Sequence, residues 1–235
     1  VADLLTIPQA FFLLHTDDDG RRRTTAKRLD LGLAGGVLAD LALRGAIDLD
    51  RNRVLAGPLV GSGDPVLDIT HARIAGSPVR SASWWIRQVG RPELRAEVTA
   101  GLVARGTLAS EQRPALALAL ALALAPATRH PDRDRRPLDE VQAAIADSLA
   151  GRTPASPFVA TMIGLHDAVG TLRSRFGPVD QRHVRDLVAG DQVSPAVRRV
   201  LSHVRTDPPP PSSTQRPPFC PGPSTDRRSV PLGRA

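Results

Sequence analysis

The chain has 235 residues, with 31 Lys and Arg against 24 Asp and Glu and a net charge of +7. That length can bury a real core, as one domain or two small ones, and it excludes little by itself. Aromatic residues make up 3% and Tyr is absent, so the core must be built from Leu, Ala and Val, which favours helices over a sandwich or barrel. The basic balance implies attraction to anionic surfaces, lipid or nucleic acid, without choosing between them. Lys27 is the only lysine, and this bias toward Arg fits a high-GC genome as well as selection for phosphate binding. A single cysteine, Cys220, leaves no intramolecular disulfide and no Cys-based metal site. Residues 1–20 lack the order of a signal peptide, and no apolar run is long enough for a transmembrane helix.

Residues 3–14 read as a helix, with Thr6 as cap, Pro8 at an early position, and Phe11, Phe12 and Leu14 facing inward. The acidic turn at 17–20 lacks the alternating ligands and distal Glu of a calcium loop. RRRTTAKR at 21–28 reads as a solvated basic loop or strand edge, with an anion-facing loop as the alternative. A buried helix follows over 29–44. Its apolar residues Leu33, Val37, Leu38, Leu41 and Ala42 recur at helical spacing. Gly32, Gly35 and Gly36 each cost about 1 kcal/mol of helix propensity, tolerable mainly where another backbone comes close. Arg44 and Gly45 supply the stop, a cation at the negative end and then a residue free to take positive φ. Ile47 and Leu49 alternate with Asp48 and Asp50 as a strand; 51–53 turns it and 54–56 returns.

Asp64 followed by Pro65 starts the next helix, with Asp64 as cap and Asp68 complementing the dipole rather than forming a catalytic pair. Residues 76–81 read as a loop. Trp84 and Trp85 open an amphipathic segment; at least one belongs in the core, while an exposed one could anchor at a membrane interface. VTAGLVARGTL at 98–108 repeats VLADLALRGAI at 37–47 with both Arg-Gly pairs in register, through shared stop chemistry or duplication. ALALALALALA at 115–125 sets strand alternation against strong helix formers. As a strand it would carry one continuous Leu face. Residues 129–137 read as a charged turn. Helices follow at 138–150, at 156–176 as one buried helix stopping at Gly177, at 181–191 and at 194–204. After Asp207 the composition changes: nine of 22 prolines fall in 208–231. The expected division is a helical domain over 1–206 and a disordered Pro-rich tail over 207–235.

The chain resembles the Golgi phosphoprotein 3 family. The resemblance rests on LAGGVLADLALRGAIDLD at 33–50, GSGDPVLDITHARI at 61–74, SWWIRQVG at 83–90, LRAEVTAGLVARGTL at 94–108 and LHDAVGTLRSRF at 165–176. In order and spacing these matches span roughly residues 4–204. The Ala and Arg bias suits a bacterial-type member. The resemblance implies an all-α fold, a central helical bundle ringed by amphipathic helices, with one or two short β-hairpins. It implies that the Leu-Ala tract is the position of a hydrophobic hairpin that contacts membrane and subunits, which makes Leu116, Leu118, Leu120 and Leu122 candidate membrane contacts. A buried core strand or helix is the alternative. Eukaryotic members bind phosphatidylinositol 4-phosphate on Golgi membranes. Of the four residues their pocket draws on, Arg95 matches one. The others fall at Pro92 (with Arg91 adjacent), Ala34 and Thr25. The fold is therefore expected to carry over and the specific phosphoinositide is not.

No nucleophile elbow, Walker loop, dinucleotide fingerprint or zincin motif is present. The six His, at 15, 71, 130, 166, 183 and 203, sit in separate segments without ligand spacing, and His166 reads as a core histidine. The expectation is a protein that is not an enzyme, with no cofactor and no metal. What remains is anion binding. Arg87, Arg91 and Arg95 recur every four residues, and the planar guanidinium suits phosphate. Gly90 and Pro92 threaten the continuity of that face, and a merely solvated face is the plain alternative. The sequence thus points to a peripheral membrane or adaptor protein whose partner is an anionic lipid head group. It would be cytoplasmic and peripheral on the cytoplasmic membrane face, with a homo-oligomer allowed and the protein partner unspecified. A winged-helix-like nucleic-acid binder is the rival, because a helix, Arg-Gly and a hairpin end that fold. Nucleic acid is disfavoured because that helix has no basic face. A pure protein-interaction scaffold is the third reading.

Overall fold

The computed structural model describes residues 5–16, 22–58, 61–107 and 136–206. The first helix, α1 (Ile7–Leu14), starts at Pro8 in its first turn, and every one of its residues is buried. Gln9 Oε1 accepts the Thr6 N–H at 3.2 Å, the half of a capping box that holds the entering chain. The central helix, α2 (Ala26–Leu43), is capped by Thr25 and buried without a break from Leu29 to Leu41. It is packed by α1 and by the helices introduced below, so its pattern is apolar on all sides.

The glycines of α2 mark where those neighbours come closest. A Cβ on Gly36 would lie 3.2 Å from the Pro8 backbone, the close backbone approach that its sequence position suggests. Gly32 and Gly35 instead admit side chains. A Cβ there would meet the Phe11 ring at 2.4 Å and Val197 Cγ2 at 2.5 Å, respectively.

Arg44 ends α2 and Gly45 turns the chain at φ +69°. The Ala46 N–H then reaches back to the Leu41 carbonyl at 2.9 Å, closing the helix end. Strand β1 (Ile47–Asp50) pairs antiparallel with β2 (Arg53–Ala56), Ile47 opposite Ala56 and Asp50 opposite Arg53. Arg51 and Asn52 both take positive φ in the two-residue turn, as a hairpin's right-handed twist demands. Helix α3 (Pro65–Ala75) begins at the Asp64 cap, whose side chain accepts from Val66 and Leu67.

The segment 76–81 is not all loop. Arg80–Ser81 forms β3, pairing with β2 to make a three-stranded sheet. A two-residue strand has no periodicity to read; it exists because β2 offers an open edge. Helices α4 (Ala82–Val89) and α5 (Pro92–Ala104) follow. The stop of α5 repeats that of α2 atom for atom: Arg105 at φ −81°, ψ −4°, Gly106 at φ +72°, and Thr107 N–H to Leu102 O at 3.0 Å.

Beyond the residues left undescribed come α6 (Arg136–Leu149) and α7 (Pro157–Val169). The single helix expected over 156–176 is two. Gly170 takes φ +79° and ends α7, and α8 (Leu172–Phe176) starts two residues later. Left-handed glycine followed by the Thr171 N–H bonding back to His166 O is a helix stop that outweighs the apolar pattern running through it. Helices α9 (Gln181–Leu187) and α10 (Ser194–Thr206) complete the described chain. Ten helices and three short strands among the described residues make the fold all-α, with one core cluster running from Leu5 to Leu201 around α2.

Candidate functional site

Helix α4 is two-faced. Ala82, Trp85, Ile86 and Val89 are buried against the bundle, at spacings that place them on one side. The opposite side carries Trp84, Arg87 and Gln88 at i, i+3 and i+4, and Arg91, just past the helix end, joins them through Gln88. Arg87 and Arg91 are exposed, while Trp84 and Gln88 are half-buried. Arg91 Nη2 donates to Gln88 Oε1 at 3.0 Å, which steadies a guanidinium that remains exposed. The Arg80 guanidinium lies over the Trp84 ring, 5.4 Å from its centroid, within cation–π range. Trp84 meets the buried Trp85 edge to face at 4.9 Å, so its ring is anchored from below. The outer face of α4 is therefore a basic strip around one partly exposed indole.

Arg95 does not continue this strip. The chain breaks at Gly90 and Arg91, α5 starts at Pro92, and Arg95 turns inward to Asp30 on α2, Nε to Oδ1 at 2.5 Å. Asp30 is almost fully buried, and burial pushes its carboxyl above the usual range. The charges of Arg95, Lys27 and Arg22 act against that shift. Arg95 thus serves first as the partner of a buried acid. Sequence offers no signal for the pairing, because Asp30 reads as one polar residue in an apolar helix. Arg80 was equally invisible as a partner, because its place beside Trp84 is set by β3.

At the other positions drawn from the family resemblance, Thr25 caps α2 by accepting the Arg28 N–H, Ala34 is fully buried, and Pro92 is the exposed first residue of α5. None of the three offers a cation. Leu116, Leu118, Leu120 and Leu122, Cys220 and the Pro-rich tail lie outside the described residues. Asp68 accepts both the Ser62 N–H and the Ser62 hydroxyl, which hold its carboxyl below the usual range. It is a loop anchor at the start of α3. Among the described residues, no group of three His, Cys, Asp or Glu could hold a metal ion, and no helix is long and apolar enough to cross a membrane.

A family model described as Golgi phosphoprotein 3 (GPP34) matches residues 7–204, most of the chain. No curated protein matches it.

Proposed function

We propose, from the premise that the chain belongs to the Golgi phosphoprotein 3 family, that it is a non-enzymatic peripheral membrane protein which sets the outer face of α4 against anionic lipid head groups. The observation that carries this reading is the strip of Arg80, Arg87 and Arg91 around Trp84, on the side of α4 away from the core. Each basic residue close to an anionic bilayer contributes about 1 kcal/mol, weakened by salt. An indole with a buried base and an exposed edge suits the interface between head groups and hydrocarbon. Arg95 acts indirectly, by fixing α5 against α2. The positions that match one of the four pocket residues and lack the other three favour general anion attraction over selection of the 4-phosphate. Stable attachment takes a second, apolar signal, which we assign to Leu116, Leu118, Leu120 and Leu122.

Nucleic acid is the weaker partner. The helix that precedes the hairpin is α2, and its residues from Leu29 to Leu41 are covered by other helices, so it has no face to enter a groove. Sedimentation with vesicles tests the reading. The chain should pellet with anionic vesicles at low salt, stay in solution with neutral ones, and show no preference for the 4-phosphate. Arg87→Ala with Arg91→Ala should weaken pelleting about tenfold or more, and Leu118→Ser with Leu120→Ser should weaken it separately. A wild-type chain left in the supernatant at low salt defeats the proposal and leaves the scaffold reading in its place.

A further inference from the structure

The basic segment at 21–28 and the buried histidines have no part in the reading above, yet the fold brings them together. A cavity of about 210 Å³ has His15, Arg23, His166, Thr171, Ser174 and Arg175 among its lining residues. No residue of α4 lines it. The His15 and His166 rings stack at 4.6 Å, and both side chains are almost wholly buried.

Their hydrogen bonds fix which nitrogen carries each proton. His15 Nδ1 lies 2.9 Å from the Phe11 carbonyl, which can only accept, so Nδ1 is the donor. Burial lowers the His15 pKa to about 4, so the ring is neutral at physiological pH and its Nε2 is a bare acceptor. The Thr171 hydroxyl, 2.9 Å from that Nε2, gives it its one proton. Its alternative acceptor, the His166 carbonyl, is farther away at 3.3 Å. The Thr171 oxygen must then accept from His166 Nδ1, 3.1 Å away. Burial also holds His166 neutral, with the charge of Arg175 acting in the same direction. His166 Nε2 is left as an unprotonated acceptor, buried and with no hydrogen-bond partner in the protein. A buried acceptor in that state calls for a donor.

Among the described residues that line the cavity, Arg23 and Arg175 are the ionised ones, and both are basic. Arg175 is held by Gln142 Oε1 at 2.7 Å and is close enough to act on both rings. Arg23 is exposed, and its N–H bonds to the His15 carbonyl at 2.8 Å, which keeps it beside the cavity. We propose that this cavity binds a phosphate-type oxyanion that still carries a hydroxyl, with Arg23 and Arg175 meeting its charge and His166 Nε2 accepting its P–OH hydrogen. The volume suits a single phosphate group. Sulfate has the same shape and charge but no proton to give near neutral pH, so the arrangement selects against it.

Calorimetric titration of the full chain near neutral pH tests this with inorganic phosphate and sulfate as probes. Phosphate should bind at least about tenfold tighter than sulfate, the effect of one charge-assisted hydrogen bond. The ring signals of two histidines should move on phosphate addition. Arg23→Ala, at an exposed position whose backbone bond survives, should weaken phosphate about tenfold. Arg175→Gln should do the same, and Arg23→Ala keeps the test open if that variant folds poorly. Equal binding of sulfate, no binding of phosphate, or indifference to Arg23→Ala overturns the proposal. The source of the phosphate is read in the Arg87→Ala, Arg91→Ala background, which removes the α4 strip. Displacement of this variant from phosphatidic acid vesicles by inorganic phosphate, with no such effect on phosphatidylserine vesicles of equal charge, assigns the site to a lipid head group. Phosphate binding without displacement assigns it to a free phosphate.

Discussion

Asp40, in the last turn of the central helix, accepts the backbone N–H of Ile7 at 2.7 Å and so caps α1 from outside its own segment. The same carboxylate pairs with Arg44 at 2.5 Å. One buried acid therefore joins the first helix to the last turn of the second. Gln9, two residues further on, reaches Asp64 Oδ2 at 2.8 Å and ties in the start of α3 as well.

Asp40→Ala leaves a buried N–H without an acceptor and a guanidinium without its partner. Unfolding in urea should show a loss of about 2–3 kcal/mol. A loss below about 0.5 kcal/mol would mean that α1 is held by packing alone.

Arg95 and Arg91 should separate cleanly. Arg95→Ala strands the buried Asp30 carboxylate and should cost about 2–3 kcal/mol of stability, less than a fully buried pair because Arg95 is 23% exposed. Arg91→Ala removes only an exposed contact to Gln88 and should stay within about 0.5 kcal/mol. Thermal melts of the two variants check the contrast, and equal melts would contradict it.

Acid should destabilise the protein through its two buried histidines. His15 falls from its ordinary 6.5 to about 4 in the fold, and His166 moves in the same direction, both chiefly through burial. The unfolded chain therefore binds more protons between those two values, and stability falls as pH falls through that window. The loss begins near 6.5 and for His15 is complete near 4, reaching about 3 kcal/mol. Urea midpoints at pH 7, 6 and 5 should decline steadily; a flat series would show that the rings take up protons as readily in the fold as in the unfolded chain.

Gly35→Ala should destabilise despite the better helix propensity of alanine. Its Cβ would sit 2.5 Å from Val197 Cγ2 and 2.9 Å from Leu165 Cδ2, an overpacking that costs about 1–3 kcal/mol. Adding Val197→Ala should recover part of the loss, because it removes the nearer methyl. Failure of that rescue would place the strain at Leu165.

Helix starts and stops were legible residue by residue. Asp64 with Pro65, Arg44 with Gly45, and Arg105 with Gly106 sit where the fold uses them, because each cap is closed within a few residues of chain. The apolar run on every side of α2 likewise announced a central helix, since only full enclosure tolerates it. Partners distant in sequence were not legible. Nothing in the order of residues joins Arg95 to Asp30, Asp40 to Ile7, or His15 to Thr171, because those choices depend on which helices lie side by side. The break at Gly170 was hidden by apolar residues on both sides of it, and β3 by its length. Local chemistry, acting over one turn of chain, set the elements. Packing set which charges face water and which face each other, and so reserved Arg87 and Arg91 for a surface while spending Arg95 on the core.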